Sequence, residues 1–211
     1  MCSPDLPDIR RESRYGQDGA FGELGVVYTR PLGARLNLET RFIHEFSDFD
    51  GVSTSLSTLS GVDSPEQRFE SIGESSETIL RGLVRFEQSP GLTWETGGEI
   101  AYNMLETEQA FSIGGTPVPL PSASVKVEET RGELFGKVTW RVRDNLNVEG
   151  GLRLEASTIT QSGDADQEKS FFFAKPRLQA TWTPMANNQF RLRFRPEEHT
   201  SELQSRAYLV F

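Results

Sequence analysis

The sequence contains one cysteine, Cys2, and only two histidines, His44 and His199, among 211 residues. A lone thiol permits no internal disulfide and no multi-cysteine metal centre. Only these two could serve as imidazole bases or ligands, and His199 falls in a terminal stretch read below as artefactual, so neither a Ser/His/Asp arrangement nor a histidine metal cluster is credible and no catalytic residue, metal site or cofactor is expected. His44 reads as an ordinary polar residue at the loop end of a strand. Basic charge is short as well: 22 Lys and Arg against 31 Asp and Glu leave a net charge of −9. Nucleic acid is therefore set aside as a partner, because phosphate binding needs a net basic face. Long apolar runs are missing too, and none approaches the roughly 20 residues that a membrane-crossing helix requires. A β-barrel is not excluded by this, since each of its strands turns only alternate residues to lipid. The polar stretch 1–19, with Pro4 and Pro7, has no apolar core of the kind a secretory signal needs. It is read as an irregular N-terminal segment, and Met1 as an internal or artificial start.

What is present is a period of two, the mark of strands with one apolar face. Leu92, Trp94, Thr96, Gly98, Ile100 and Tyr102 alternate with Thr93, Glu95, Gly97, Glu99, Ala101 and Asn103. Leu134, Gly136, Val138, Trp140 and Val142 alternate with Glu133, Phe135, Lys137, Thr139 and Arg141, and Phe135 is the one misfit. Leu146 to Ala156 repeats the contrast most cleanly, and similar series run from Leu24, Leu36, Leu80, Phe172 and Phe190. The fold class predicted is all-β: an antiparallel up-and-down meander of about eight strands.

The connections predicted from turn residues are of two kinds. Short ones fall at Pro31 to Ala34, Ser89 to Gly91, Arg143 to Asn145 and Pro184 to Asn188. Long ones fall at Ser47 to Ser76, Leu105 to Ser124 and Gln161 to Lys169. Short and long alternate, as in a transmembrane β-barrel with tight turns on one side and long loops on the other. Tyr28, Trp94, Trp140 and Trp182 each lie beside a short turn on the apolar face, where amphipathic rings form a membrane-interface girdle. The opposite column holds Arg81, Arg85, Glu95, Glu99, Lys137, Arg141, Arg153, Glu155, Lys175, Arg177, Arg191 and Arg193, which need a wet side; a water-filled lumen supplies one. The chain thus reads as a fragment of a transmembrane β-barrel in an outer membrane, with lipid as one partner.

The run Gly132-Glu133-Leu134-Phe135-Gly136 with Trp140, followed by Leu146-Asn147-Val148-Glu149-Gly150-Gly151-Leu152-Arg153, resembles a barrel hairpin of TonB-dependent receptors. Lys175-Pro176-Arg177-Leu178 with Thr181-Trp182-Thr183-Pro184 is similar to the next hairpin of that family. The resemblance covers Phe21 to Arg195 and rests on recurrent strand and turn patterns, not on a catalytic signature. It implies a barrel of about 22 strands, closed by an N-terminal plug, that imports a scarce ligand with energy transmitted by the TonB system. Nothing in the sequence looks like that plug or a TonB-contacting segment, so 20–195 is expected to be a partial barrel with two unpaired edges. Glu197 to Ser205 resembles a translated sequencing-library adapter, and 196–211 is read as an artefactual tail; the competing reading is a natural barrel terminus ending in Phe211.

Other motifs point to bland roles. Asp164, Asp166 and Glu168 are spaced like calcium ligands but lack the glycine and downstream glutamate of a full loop. Gly114-Gly115 and Gly150-Gly151 have no phosphate-loop context, and Pro117 to Pro121 stiffens a long loop. Two other functions stay open beside the receptor: a passive porin-like or small outer-membrane barrel, and an outer-membrane barrel enzyme, against which the shortage of histidine speaks. The imported ligand is not identified by these residues.

Overall fold

The computed structural model describes residues 9–185 and 188–195. Period-two patterning becomes strand throughout: β1 (Ile9–Pro31), β2 (Leu36–Leu59), β3 (Val62–Asp63), β4 (Gln67–Ser89), β5 (Leu92–Ile113), β6 (Thr116–Val118), β7 (Ser124–Arg143), β8 (Leu146–Gly163), β9 (Gln167–Met185) and β10 (Asn188–Phe194). Eight of these form one antiparallel sheet in the order β1-β2-β4-β5-β7-β8-β9-β10, each paired with its sequence neighbour, while β3 and β6 add short hairpin pieces to β2 and β5. This is the expected meander. Among the described residues β1 and β10 each have one neighbour in the sheet, which leaves an open edge on either side.

The strands are longer than the sequence pattern indicated. Residues 9–19, expected to be irregular, belong to β1 and pair with β2 from Ile9↔Leu59 to Gly19↔Phe49. The three expected long loops are mostly strand as well: β2 runs to Leu59 and β4 starts at Gln67, β5 runs to Ile113, and only 164–166 separate β8 from β9. The physical reason is that the ladder satisfies backbone N–H and C=O groups whatever the side chains are. Ser- and Thr-rich segments with water on both faces can continue it without any alternation of polarity. Gly114 and Gly115, both at positive φ (58° and 78°), form the tight turn between β5 and β6, the backbone conformation that a two-residue hairpin needs. Pro117 sits in β6, opposite Ser112.

A single layer has no interior. Ala101 is the one buried hydrophobic residue among those described, while Leu134, Ile100, Phe172 and Leu192 are more than half exposed. A water-soluble domain buries such side chains against a second layer; here the sheet presents them on one face.

Candidate functional site

The register defines the two faces. Paired residues in an antiparallel ladder share a side. One row joins Leu36, Phe86, Trp94, Val138, Gly150 and Leu178 across six strands. A second joins Phe42, Leu80, Ile100, Gly132, Ala156 and Phe172. Every row between them is apolar, glycine or threonine save for Pro176. Along β5 this band runs from Leu92 to Tyr102, about 34 Å of strand at the antiparallel rise and about 26 Å of height at a 40° tilt, the thickness of a barrel's lipid-facing band.

Tyr28, Trp94, Trp140 and Trp182 all lie on this face at its short-turn end, three residues from Pro31, Gly91, Arg143 and Met185 respectively. Each ring is about half exposed. Trp94 Nε1 donates to Gln88 Oε1 at 2.9 Å, and Trp182 packs on Phe190 with centroids 5.7 Å apart. The rows shift steadily along the sheet: Trp140 is opposite Leu92 and Val148, and Trp182 opposite Leu146 and Phe190. The turns shift in the same sense, so the four rings keep a constant spacing from the turn ends.

The opposite face carries the twelve charged residues named from the sequence, and eight of them are brought together in ion pairs. Glu95 accepts from Arg85 and from Lys137, the latter at 2.5 Å. Glu99 lies 3.5 Å from Arg81 and 3.6 Å from Arg131. Glu133 is 3.2 Å from Arg153, and Glu155 is 2.9 Å from Lys175. These pairs knit adjacent strands from β4 to β9. Arg141, Arg177, Arg191 and Arg193 share the face but not the network; Arg193 donates to Gln179 at 3.1 Å. Sequence reasoning missed Arg131 and Glu133, whose roles depend on partners in other strands. It also left Phe135 unexplained. The Phe135 ring lies over Gly97, where an added Cβ would meet it at 2.7 Å, and the Arg81 guanidinium sits 4.7 Å from its centroid. An aromatic that covers a strand glycine is a recognised sheet device.

Beyond Tyr102 the sorting of polarity lapses: Phe46 and Ile72 stay on the face that was apolar, and Glu45, Glu77 and Glu129 on the face that was charged. On the face that was apolar, Asp48, Glu74, Glu106 and Lys126 form a row. On the face that was charged, Tyr15, Ser53, Phe69, Phe111 and Val118 do. At the boundary His44 Nδ1 is 2.9 Å from Thr78 Oγ1. Just past it, a hydrogen bond from the Tyr102 hydroxyl holds the Glu128 carboxyl below its ordinary range. No group of three or more His, Cys, Asp and Glu residues that could hold a metal ion occurs among the described residues.

This arrangement is the wall of a transmembrane β-barrel. It is similar to the siderophore receptor PiuA from Acinetobacter baumannii, at 12% identity and a TM-score of 0.60 over 86% of this chain and 32% of the receptor. It is also similar to the ferric citrate transporter FecA, at 12% identity and a TM-score of 0.48 over 75% of this chain and 26% of FecA. The chain spans about a third of the length of PiuA. No protein-family model and no curated protein matches. The likeness to PiuA shows the fold: a partial wall of a β-barrel.

Proposed function

We propose that the chain forms part of the barrel of a TonB-dependent receptor in an outer membrane, importing a scarce ligand, with TonB engaged through a plug that lies outside this sequence. The observation that carries this reading is the split of the sheet into an apolar band about 26 Å high and an ion-paired face opposite it. The band contacts acyl chains, Tyr28, Trp94, Trp140 and Trp182 lie at the headgroup level, and the charged column lines the lumen. The strand ends beyond Tyr102 stand outside the membrane and meet the ligand first. Residues 20–195 are wall, with β1 extending it to Ile9; the tail 196–211 lies outside the described residues. No catalytic activity is assigned.

Single cysteines at Ile100, Leu134, Lys137 and Arg153 in the intact protein test the faces. A polar thiol reagent should modify the last two quickly and the first two slowly in membranes, and equal rates at all four positions would remove the membrane reading. Uptake that persists after the proton-motive force is collapsed would favour the passive barrel instead.

A further inference from the structure

Past the row of Glu45, Glu77 and Glu129 the two faces are no longer divided into apolar and polar, yet they differ in charge. Alternate residues from Ser13 to Phe21 on β1, Ser47 to Ser55 on β2, Gln67 to Ser75 on β4 and Leu105 to Ile113 on β5 share the face that carries the ion pairs lower down. None of them is charged, in a chain of which 25% is Asp, Glu, Lys and Arg. The residues between them, on the other face, include Asp18, Asp48, Asp50, Glu70, Glu74 and Glu106. Leu105 and Phe111 follow Tyr102 by three and nine residues. That places the uncharged area about 8–23 Å above the apolar band, at the antiparallel rise and a tilt of about 40°.

The area combines rings with neutral hydrogen-bonding groups. Tyr15, Phe69 and Phe111 lie in one row on β1, β4 and β5, with Tyr15 and Phe69 two strand spacings apart, about 10 Å. Glycines on neighbouring strands let rings lie down on the sheet: an added Cβ at Gly51 would stand 3.9 Å from the Tyr15 hydroxyl, and the Phe49 ring lies over Gly73. A ring laid over backbone turns its other face outward, and Tyr15 is 69% exposed. Beside these rings the Ser53, Ser71 and Gln109 side chains make no hydrogen bond among the described residues, so their donors and acceptors are open to a ligand.

We propose that this uncharged area binds a neutral carbohydrate chain, with Tyr15, Phe69 and Phe111 as stacking surfaces and Ser53, Ser71 and Gln109 bonding its hydroxyls. The inference rests on the reading of the strand ends as standing outside the membrane. A sugar ring has apolar C–H faces that pack on the electron-rich face of an aromatic ring, and hydroxyls at its edge that pair with neutral donors and acceptors. A charged ligand is poorly served, because it would shed water with no counter-charge on this area. An anion would in addition meet the carboxylates of Glu23, Glu45, Glu77 and Glu129 in the row below.

The test uses the intact outer-membrane protein in discs of neutral lipid, titrated calorimetrically with maltohexaose, cellohexaose and N-acetylchitohexaose. Citrate, spermidine and 1-hexanol serve as the anionic, cationic and apolar controls. At least one hexasaccharide should bind, with the same affinity at low and high salt, since no charge pair contributes. Tyr15→Ala and Phe111→Ala should each weaken it about tenfold, the factor for one lost aromatic contact. Tyr15→Phe, which keeps the ring, should bind as the wild type does, and so should Asp50→Asn on the other face. The site is overturned if no hexasaccharide binds, whatever the controls do. It is equally overturned by sugar binding that falls with salt, or by equal affinity in the wild type and both alanine variants. Proton-motive uptake together with the cysteine pattern would then still stand, so failure of this site and failure of the receptor reading are distinguishable.

Discussion

Leu134 lies near the mid-height of the apolar band and is 67% exposed, which makes it a sharp reporter of what surrounds the sheet. If the surroundings were water, Leu134→Arg would lose little packing, and an exposed substitution of this kind stays within about 0.5 kcal/mol. In a bilayer the guanidinium would sit at the depth where an arginine on a barrel's lipid face costs about 2–4 kcal/mol. About a third of the Leu134 side chain is already covered by neighbours, so the lower part of that range, about 2–3 kcal/mol, is expected. The assay is reversible urea unfolding of the intact barrel in phosphatidylcholine vesicles, followed by tryptophan fluorescence. Asp48→Arg, placed in the acidic row beyond the band, serves as the depth control and should change stability by less than about 0.5 kcal/mol. A cost at Leu134 no larger than at position 48 would refute the assignment of this face to lipid.

The aromatic row predicts that Trp94, Trp140 and Trp182 are quenched more by lipids brominated near the headgroup than near the chain ends; quenching at scattered depths would dissolve the girdle. At Gly73 an added Cβ would run into the Phe49 ring at 2.1 Å, so Gly73→Ala should cost about 1–3 kcal/mol. Phe49→Ala in the same chain should recover much of that loss, a coupling readable by a double-mutant cycle. Glu95→Gln leaves Arg85 and Lys137 with no carboxylate between them; with both cations about half exposed, the expected loss is about 1 kcal/mol, shrinking as salt is raised. The 211-residue chain, expressed without the rest of its barrel, should associate through the open edges of β1 and β10, and a monodisperse monomer in sedimentation would contradict the partial-wall description.

The band was legible in the sequence because its two faces are sorted strictly there: Leu92 to Tyr102 and Leu146 to Ala156 alternate, as they must if one face meets acyl chains. Outside the band the rule lapses. Ser53 to Ser57 and Gln67 to Ser76 show no sorted faces, yet they pair residue by residue with a neighbouring strand, so composition read them as loops. The charged column was readable as a column. Its pairing was not, since Glu133 finds Arg153 and Glu99 finds Arg131 only through register, which a strand pattern does not contain. Phe135 broke the alternation for a reason visible only in three dimensions: it covers Gly97 on the next strand and lies beneath Arg81.

The end of the sorted band at Tyr102 narrows what can lie on either side of the sheet. If both faces met water throughout, nothing would require the apolar band to end at one level on several strands. If lipid covered the whole outer face, Asp48, Glu74 and Glu106 would be immersed in it together, three carboxylates in one row with Lys126 the one cation in it. Lipid that ends at the level of Tyr102 removes both difficulties, because the outward carboxylates then stand in water or among headgroups. Under the proposed receptor reading, Tyr15, Phe69 and Phe111 on the other face line a mouth above the membrane, away from the ion-paired wall below. Under the same proposal, a ligand would meet apolar rings first and charges second, an order set by the strands continuing past the apolar band.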